Sequence, residues 1–344
     1  MNERRLYLDD APGERRGVVA LDGLPERLLI ARHDDIAVQA PKARVVGRVR
    51  RMVRALNSIF IDLGKGPDAV LPLNDAAKSI AEGAWLEVEL TAAARGDKGP
   101  SARLIGPTDG PARLVAGAPD LEAQLQAFAP GAPIIGADAA RAAADAAEEI
   151  ALRVEHPLPG GGRIFIEPTQ ALTAVDVDLA SSGGESRKAA VRANKEAIVG
   201  AARLLRLKGL GGLVAIDLAG KGHDGAALSA LAKAAFAPDG AGVSIGPISR
   251  FGVLELALPR TARPVSERLL ESDGQLSAQT VALRLLRAIE RAAGPGQSVE
   301  AICAPEVAAI AQGLAPDLAN RIGPRFAIRA DPLRPRTSLE VTAR

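Results

Sequence analysis

The sequence predicts a multidomain α/β (α+β) protein with a small all-β barrel near its front. Three observations carry this. Residues 45–105 hold short β-rich runs broken by Gly and Pro. Residues 159–260 alternate strand and helix patterns, which implies a sheet with parallel members and right-handed crossovers. The 344 residues accommodate two or three domains at about 100–200 residues each.

The elements follow in order. Residues 1–40 read as short strands: LPERLLIARHDD has an apolar core and ALDG offers a turn. Residues 42–54 then carry six cations (Lys42, Arg44, Arg48, Arg50, Arg51, Arg54) and no acid. Such a run is either a solvated, half-exposed strand or a phosphate-contacting surface. VVGRVRRMV, SIFIDLG, GPDAVLPL, WLEVEL and PSARLIG are strand-like at spacings that suggest a small barrel. A five-stranded OB-fold fits the length, and its usual work is binding oligonucleotides. Five prolines between 106 and 135 mark connecting structure, with one short helix at 119–128. ADAARAAADAAEEIAL, 137–152, is strongly helical. PGGG at 159–162 reads as a hairpin turn because strands flank it.

GGRIFIEP and ALTAVDVDL are strands. ESRKAAVRANKEAIVGAARLLRLKG is a helix with Val191, Ile198, Ala202 and Leu205 on one side, closed by Lys208 and Gly209. LGGLVAIDL is a strand, GAALSALAKAAF a helix, and GVSIGPIS and VLELAL strands. From about 272, a helix (LSAQTVALRLLRAIERAA) precedes SVEAICAP, EVAAIAQGLA and RFAIRADP, which together suggest a small separate α/β domain.

Composition excludes several classes. The net charge of +2 says little about partners, and 2% aromatics argue against binding through many stacked rings. One cysteine, Cys303, rules out an intrachain disulfide framework and a multi-cysteine zinc site. Its apolar surroundings, EAICAPEVAA, make it a buried structural thiol. His33, His156 and His223 are scattered, which argues against a histidine-rich metal site. His156, before Pro157, reads as a loop histidine, and His223, after Asp217, as a solvent-exposed loop histidine within reach of that acid. No apolar run reaches the ~18 residues of a membrane span, and the polar start lacks a signal-peptide stretch. A soluble cytoplasmic protein is expected.

The chemistry lies in two strands. In ALTAVDVDLAS, alternation puts Ala174, Asp176 and Asp178 on one face. In LGGLVAIDLAG, an apolar run ends in Asp217. If these strands are parallel neighbours joined by the basic helix, all three carboxylates sit near their C-terminal ends, where α/β sheets place ligands. Such carboxylates suit Mg²⁺, which binds through one or two carboxylates plus phosphate oxygens and water. The alternative is strand-end acids that cap the following helices. The helix between 187 and 208 carries seven cations and one acid. That is a solvated face or a basic surface suited to a polyanion. An acidic metal centre, basic residues and an OB-like module together point to metal-dependent phosphodiester chemistry.

PGGGRIFIEPTQALTAVDVDLAS, ANKEAIVGAARLLRLKGLGGLVAIDLAG and ISRFGVLEL resemble, in order and spacing, the catalytic core of the bacterial ribonuclease E/G family. VVGRVRRMVRALNSIFIDLGKGPDAVLPLNDA and RGDKGPSARLIG are similar to that family's OB-fold RNA-binding domain. The resemblance spans nearly the whole chain. It implies an RNase H-like part at 1–42 and 108–158, interrupted by the OB-fold at 43–107. A DNase-I-like α/β catalytic core at 159–271 and a small terminal domain at 272–344 follow. It implies an Mg²⁺-dependent endoribonuclease that cuts single-stranded RNA. Asp176 and Asp217 match the family's two metal-binding aspartates, and Asp178 matches an Asn two residues after the first. Phe60 matches a base-stacking aromatic, and Lys98 a basic residue at the RNA-facing edge. Arg48, Arg50 and Arg250 are taken with them as RNA-binding residues.

The chain also departs from the family pattern. Only the connecting stretch around 106–135 stands where the domain that senses a 5′ monophosphate belongs, so no 5′-end sensing is expected. TARPVSERLLESDGQL has no cysteine, so no zinc-linked dimer is expected, leaving a monomer or a dimer by other contacts. Asp178 replaces Asn, Gln170 replaces Glu, and LAGKG follows Asp217. Val70 replaces the second OB-fold aromatic, and the Arg-rich run thins to ALPR, leaving Arg260. The competing classes are an RNA-binding protein without turnover, acting in RNA processing or ribosome assembly, and an interaction protein that has lost both functions.

Overall fold

A computed structural model describes residues 3–74, 79–96, 98–179 and 187–344. The chain opens with an antiparallel meander of β1 (Arg4–Ala11), β2 (Glu14–Leu21) and β3 (Leu24–Arg32). β2 is buried along almost its whole length, so its charged residues need partners there. Fully buried Arg16 donates to Asp9 at 2.9 Å and to Glu148 at 2.8 Å. Glu14 accepts from Arg32 at 2.8 Å and from Arg287 at 2.5 Å. Burial works against the Glu14 carboxylate, but Arg287 and Arg32 outweigh it and hold its pKa below the usual range.

The barrel follows. β4 (Arg44–Val53), β5 (Ser58–Asp62), β6 (Ala69–Pro72), β7 (Trp85–Ala92) and β8 (Ser101–Pro107) form a closed ladder, β4-β5-β6-β8-β7-β4. The parallel β6–β8 contact runs through Val70 and Ser101. This closed five-stranded barrel is consistent with an OB-fold. Alternation sends Val45, Val49, Ile59, Ile61, Leu71, Leu86, Val88 and Leu90 into its core. Gly47 permits the crossing of β4 and β5: a Cβ there would lie 2.5 Å from Ile61 and 2.8 Å from the Asp62 carbonyl.

The connecting stretch holds more structure than its prolines suggest. β9 (Arg113–Ala116) extends the barrel sheet on β4, and β10 (Ile134–Ile135) runs parallel to β1. Open strand edges recruit these short segments, which carry little pattern of their own. Because β10 returns to β1, the barrel is inserted within one sheet. α1 (Leu121–Phe128) is capped by Asp120, whose carboxylate accepts from the Ala123 N–H at 2.8 Å. α2 (Ala137–Leu152) packs on β1 and β3.

The central unit is a six-stranded sheet of β11 (Glu155–Pro157), β12 (Arg163–Pro168), β13 (Thr173–Asp178), β14 (Gly212–Asp217), β15 (Ser244–Ile248) and β16 (Val253–Leu258). Its order is β11-β12-β13-β14-β16-β15, and only β13 and β14 pair in parallel. α3 (Arg187–Lys208) makes that crossover, and α4 (Gly225–Phe236) follows β14. The start expected for α3, at Glu185, lies outside the described residues. α3 is wedged between β3 of the first sheet and β12 and β13 of the second. Ile198, Ala202 and Leu205 are buried as expected, but Val191 is exposed. It lies about two turns before Ile198, toward the N-terminal end of the helix.

The wedge also explains the last three cations of the basic run, while Arg187, Lys188, Arg192 and Lys195 stay exposed. Arg203 donates to the Pro25 carbonyl at 2.8 Å. Arg206 pairs with Glu26 at 3.1 Å and Asp239 at 2.8 Å. Lys208 donates to the carbonyls of Ala151 and Arg153. The C-terminal half of α3 is therefore a seam between sheets, not a polyanion surface. His156 is corrected likewise. It lies in β11, not in a loop, and is 5% exposed. Burial first, then the Lys208 ammonium, lowers its pKa to about 4.

After α5 (Val265–Leu269), a smaller unit packs α6 (Ala278–Ala292), α7 (Pro305–Gly313) and α8 (Ala315–Ile322) on three strands. These are β17 (Val299–Cys303), β18 (Phe326–Ala330) and β19 (Glu340–Ala343), in the order β18-β17-β19. Cys303 is fully buried in this core, and burial pushes its thiol pKa up. Among the described residues no helix is long and apolar enough to cross a membrane.

Candidate functional site

The two faces of the central sheet differ. One buries Ile164, Ile166, Val175, Val177, Val214, Ile216, Leu254 and Leu256 in the helix-covered core. The other carries Arg163, Phe165, Asp176, Asp178, Asp217 and Glu255 outward. The period of two decides this: each outward residue alternates with a buried aliphatic one. Asp176 and Asp217 are register partners on the parallel pair, so the crossover of α3 sets two carboxylates side by side on adjacent strands. Among the described residues neither carboxylate has an ion-pair partner.

Asp178 shares their face but not their situation. Its carboxylate accepts from Arg163 Nε at 2.8 Å, across the β12–β13 pair. Among the described residues no group of three or more His, Cys, Asp or Glu side chains gathers to hold a metal ion. The expected convergence of three carboxylates is therefore a pair. That pair still fits Mg²⁺, which needs only one or two protein carboxylates. Two unpaired like charges on neighbouring strands are a donor set that a cation would relieve.

The segment beyond Asp217 is braced from below. Buried Asn194 on α3 accepts from the Ala219 N–H at 2.9 Å and donates to the Ala219 carbonyl at 3.0 Å. It also lies 3.5 Å from His223 Nδ1. His223 is therefore partly buried against this brace and Gly252, not exposed as expected. Asn194 stood in the quoted ANKEA phrase without a role. Its spacing is the signal: it lies three and four residues before the buried Ala197 and Ile198, on the inward stripe of the helix. Arg250 lies in the turn before β16, its guanidinium 4.7 Å from the ring of Phe251, which is 76% exposed. Leu218 N–H donates to the Gly252 carbonyl at 3.2 Å, so this turn borders the Asp217 end of the sheet.

The other expected RNA contacts are on the barrel. Phe60, half-buried on β5, lies under the Arg51 guanidinium at 4.5 Å. Arg48 sits 5.8 Å from the Trp85 ring, and its Nε donates to the Gly83 carbonyl at 3.2 Å. Arg50 is spent largely on Asp62 at 2.8 Å and Asp68 at 3.5 Å. Exposed Lys98 is in a turn bridged to Arg95. Arg95 and the Gly96 N–H bind Glu267, at 3.1 and 3.3 Å. That turn therefore ties the barrel to α5, next to the central unit.

Part of the chain is similar to known proteins. Residues 125–261 match the model for the ribonuclease E/G family. The chain is 40% identical over 124 residues to ribonuclease E of Haemophilus influenzae, covering 35% of this chain and 13% of that protein. It is 40% identical over 124 residues to ribonuclease E of Escherichia coli, covering 35% and 12%. Ribonuclease E of Synechocystis is 44% identical over 69 residues, covering 20% and 10%. The matched stretch thus spans about an eighth or less of the length of these relatives.

Proposed function

We propose that this chain, which belongs to the ribonuclease E/G family through residues 125–261, is an endoribonuclease acting on single-stranded RNA in RNA processing or decay. The observation that carries this is the register pair of Asp176 and Asp217 on adjacent parallel strands, inside the family-matching segment. On this reading the central unit is DNase-I-like and the flanking sheet RNase H-like, and the protein works in the cytoplasm without 5′-end sensing.

Asp176 and Asp217 supply carboxylate oxygens for Mg²⁺. When bound, the ion supplies charge stabilisation at the phosphoryl group and an activated water. Asn194 keeps the backbone after Asp217 in place through its two bonds to Ala219. Arg250, at the same end of the sheet, offers a cation to a phosphate. On the barrel, Phe60 offers a stacking face and Arg48 and Lys98 offer charge. Arg50 contributes less, because two carboxylates already compete for it.

A second reading, RNA binding without turnover, is favoured by one observation: Asp178 is held by Arg163. One experiment separates the two. A fluorescent single-stranded RNA is incubated with the parent, Asp176→Asn and Asp217→Asn, with Mg²⁺ and with chelator. Cutting that needs Mg²⁺ and both aspartates is expected. RNA that is bound but never cut would establish the second reading.

A further inference from the structure

Resting on the function proposed above, we propose that Arg163, stacked on Phe165 and held by Glu155 and Asp178, is a platform for a nucleobase beside the Asp176–Asp217 pair. It seats the base of a nucleotide flanking the bond that is cut.

The sheet register lays this out. Glu155, Phe165, Asp176 and Asp217 form one row across four strands. Phe165 is therefore one strand, about 4.8 Å, from the acid pair. In the next row Arg163 faces Asp178. The Arg163 guanidinium lies 5.4 Å from the Phe165 ring centroid. Its Nε donates to Asp178 at 2.8 Å and its Nη1 to Glu155 at 3.1 Å. The side chain nevertheless remains 48% exposed.

Two chemical features select a base over a phosphate. First, one guanidinium between two carboxylates carries a net charge of −1, which does not attract a phosphate. Second, a planar cation pinned by two acceptors and one ring has its plane fixed before a ligand arrives, so little ordering cost is left. Arg planes and aromatic rings are the surfaces on which splayed RNA bases stack. Asp178 then acts as a positioning residue for Arg163. The extra acid that the sequence places two residues beyond Asp176 is matched by a cation on the facing strand.

The test is spectroscopic and does not require cutting. Trp85 is the only tryptophan, so Phe165→Trp in a Trp85→Phe background reports on this spot alone. The protein is titrated in chelator with a ten-nucleotide single-stranded RNA and with an abasic ribose-phosphate oligomer of equal length and charge. Quenching by the RNA at least about threefold deeper than by the abasic oligomer is expected. Arg163→Lys in that background keeps the charge but not the plane, and is expected to weaken the base-dependent quenching about tenfold. Asp178→Ala should weaken it as well, and Asp178→Asn, which keeps an acceptor, should restore most of it. Equal quenching by both oligomers, or none while RNA binds elsewhere, overturns the platform and leaves the proposed function standing. Failure of the parent to bind RNA at all overturns both.

Discussion

Replacing Asp217 by Asn removes one of two like charges held on adjacent strands. Without divalent cation this should stabilise the fold. The strands lie about 4.8 Å apart. Coulomb's law at an effective dielectric constant of about 20–80 then gives a repulsion of roughly 1–3 kcal/mol. Both carboxylates face water, and salt near 0.15 M screens them over about 8 Å, so the lower end, about 1 kcal/mol, applies. Urea unfolding in chelator measures it directly. Mg²⁺ should then reverse the order. At ten times its dissociation constant, the ion adds about 1.4 kcal/mol to the parent by mass action and far less to the variant. The reasoning is refuted if Asp217→Asn is less stable than the parent in chelator, or if Mg²⁺ stabilises both proteins equally.

Other expectations concern the frame around the site. Arg16→Met removes the shortest contacts of buried Asp9 and Glu148 and leaves them Arg141 at 3.7 Å and Arg284 at 3.1 Å. The cost should therefore sit at the low end for a broken buried pair, about 3 kcal/mol; a loss below about 1 kcal/mol by urea unfolding would show that the remaining cations take over both acids. His156 is held down to about 4 from its ordinary 6.5 by burial and Lys208. The folded state therefore prefers the neutral ring, so this stabilisation is complete above pH 6.5 and lost as pH falls toward 4, up to about 3 kcal/mol. His156→Phe should flatten the fall of stability with pH across that window, and an unchanged slope would show that other groups cause it.

Legibility varied with the range of the forces involved. The five barrel strands and α2 were readable because period-two alternation and an uninterrupted alanine-rich run are local signals. β9 and β10 were not, since each is ordered by pairing with a strand distant in sequence, β4 and β1. The basic run of α3 read as a surface because sequence does not show that β3 covers its C-terminal half. His156 beside Pro157 read as a loop for the same reason: the turn chemistry is local, while its pairing with Ile164 is not.

The site divides along the same line. The sequence by itself determined that Asp176 and Asp178 share a face and that Asp217 ends a strand, because side-chain direction follows from backbone period alone. It also carried the family phrases. Only the tertiary structure decided that Asp176 and Asp217 are register partners, that Arg163 claims Asp178, and that Asn194 braces the segment beyond the acids. Each of these depends on strand order, register or a crossover, and those are set by which buried faces pack together.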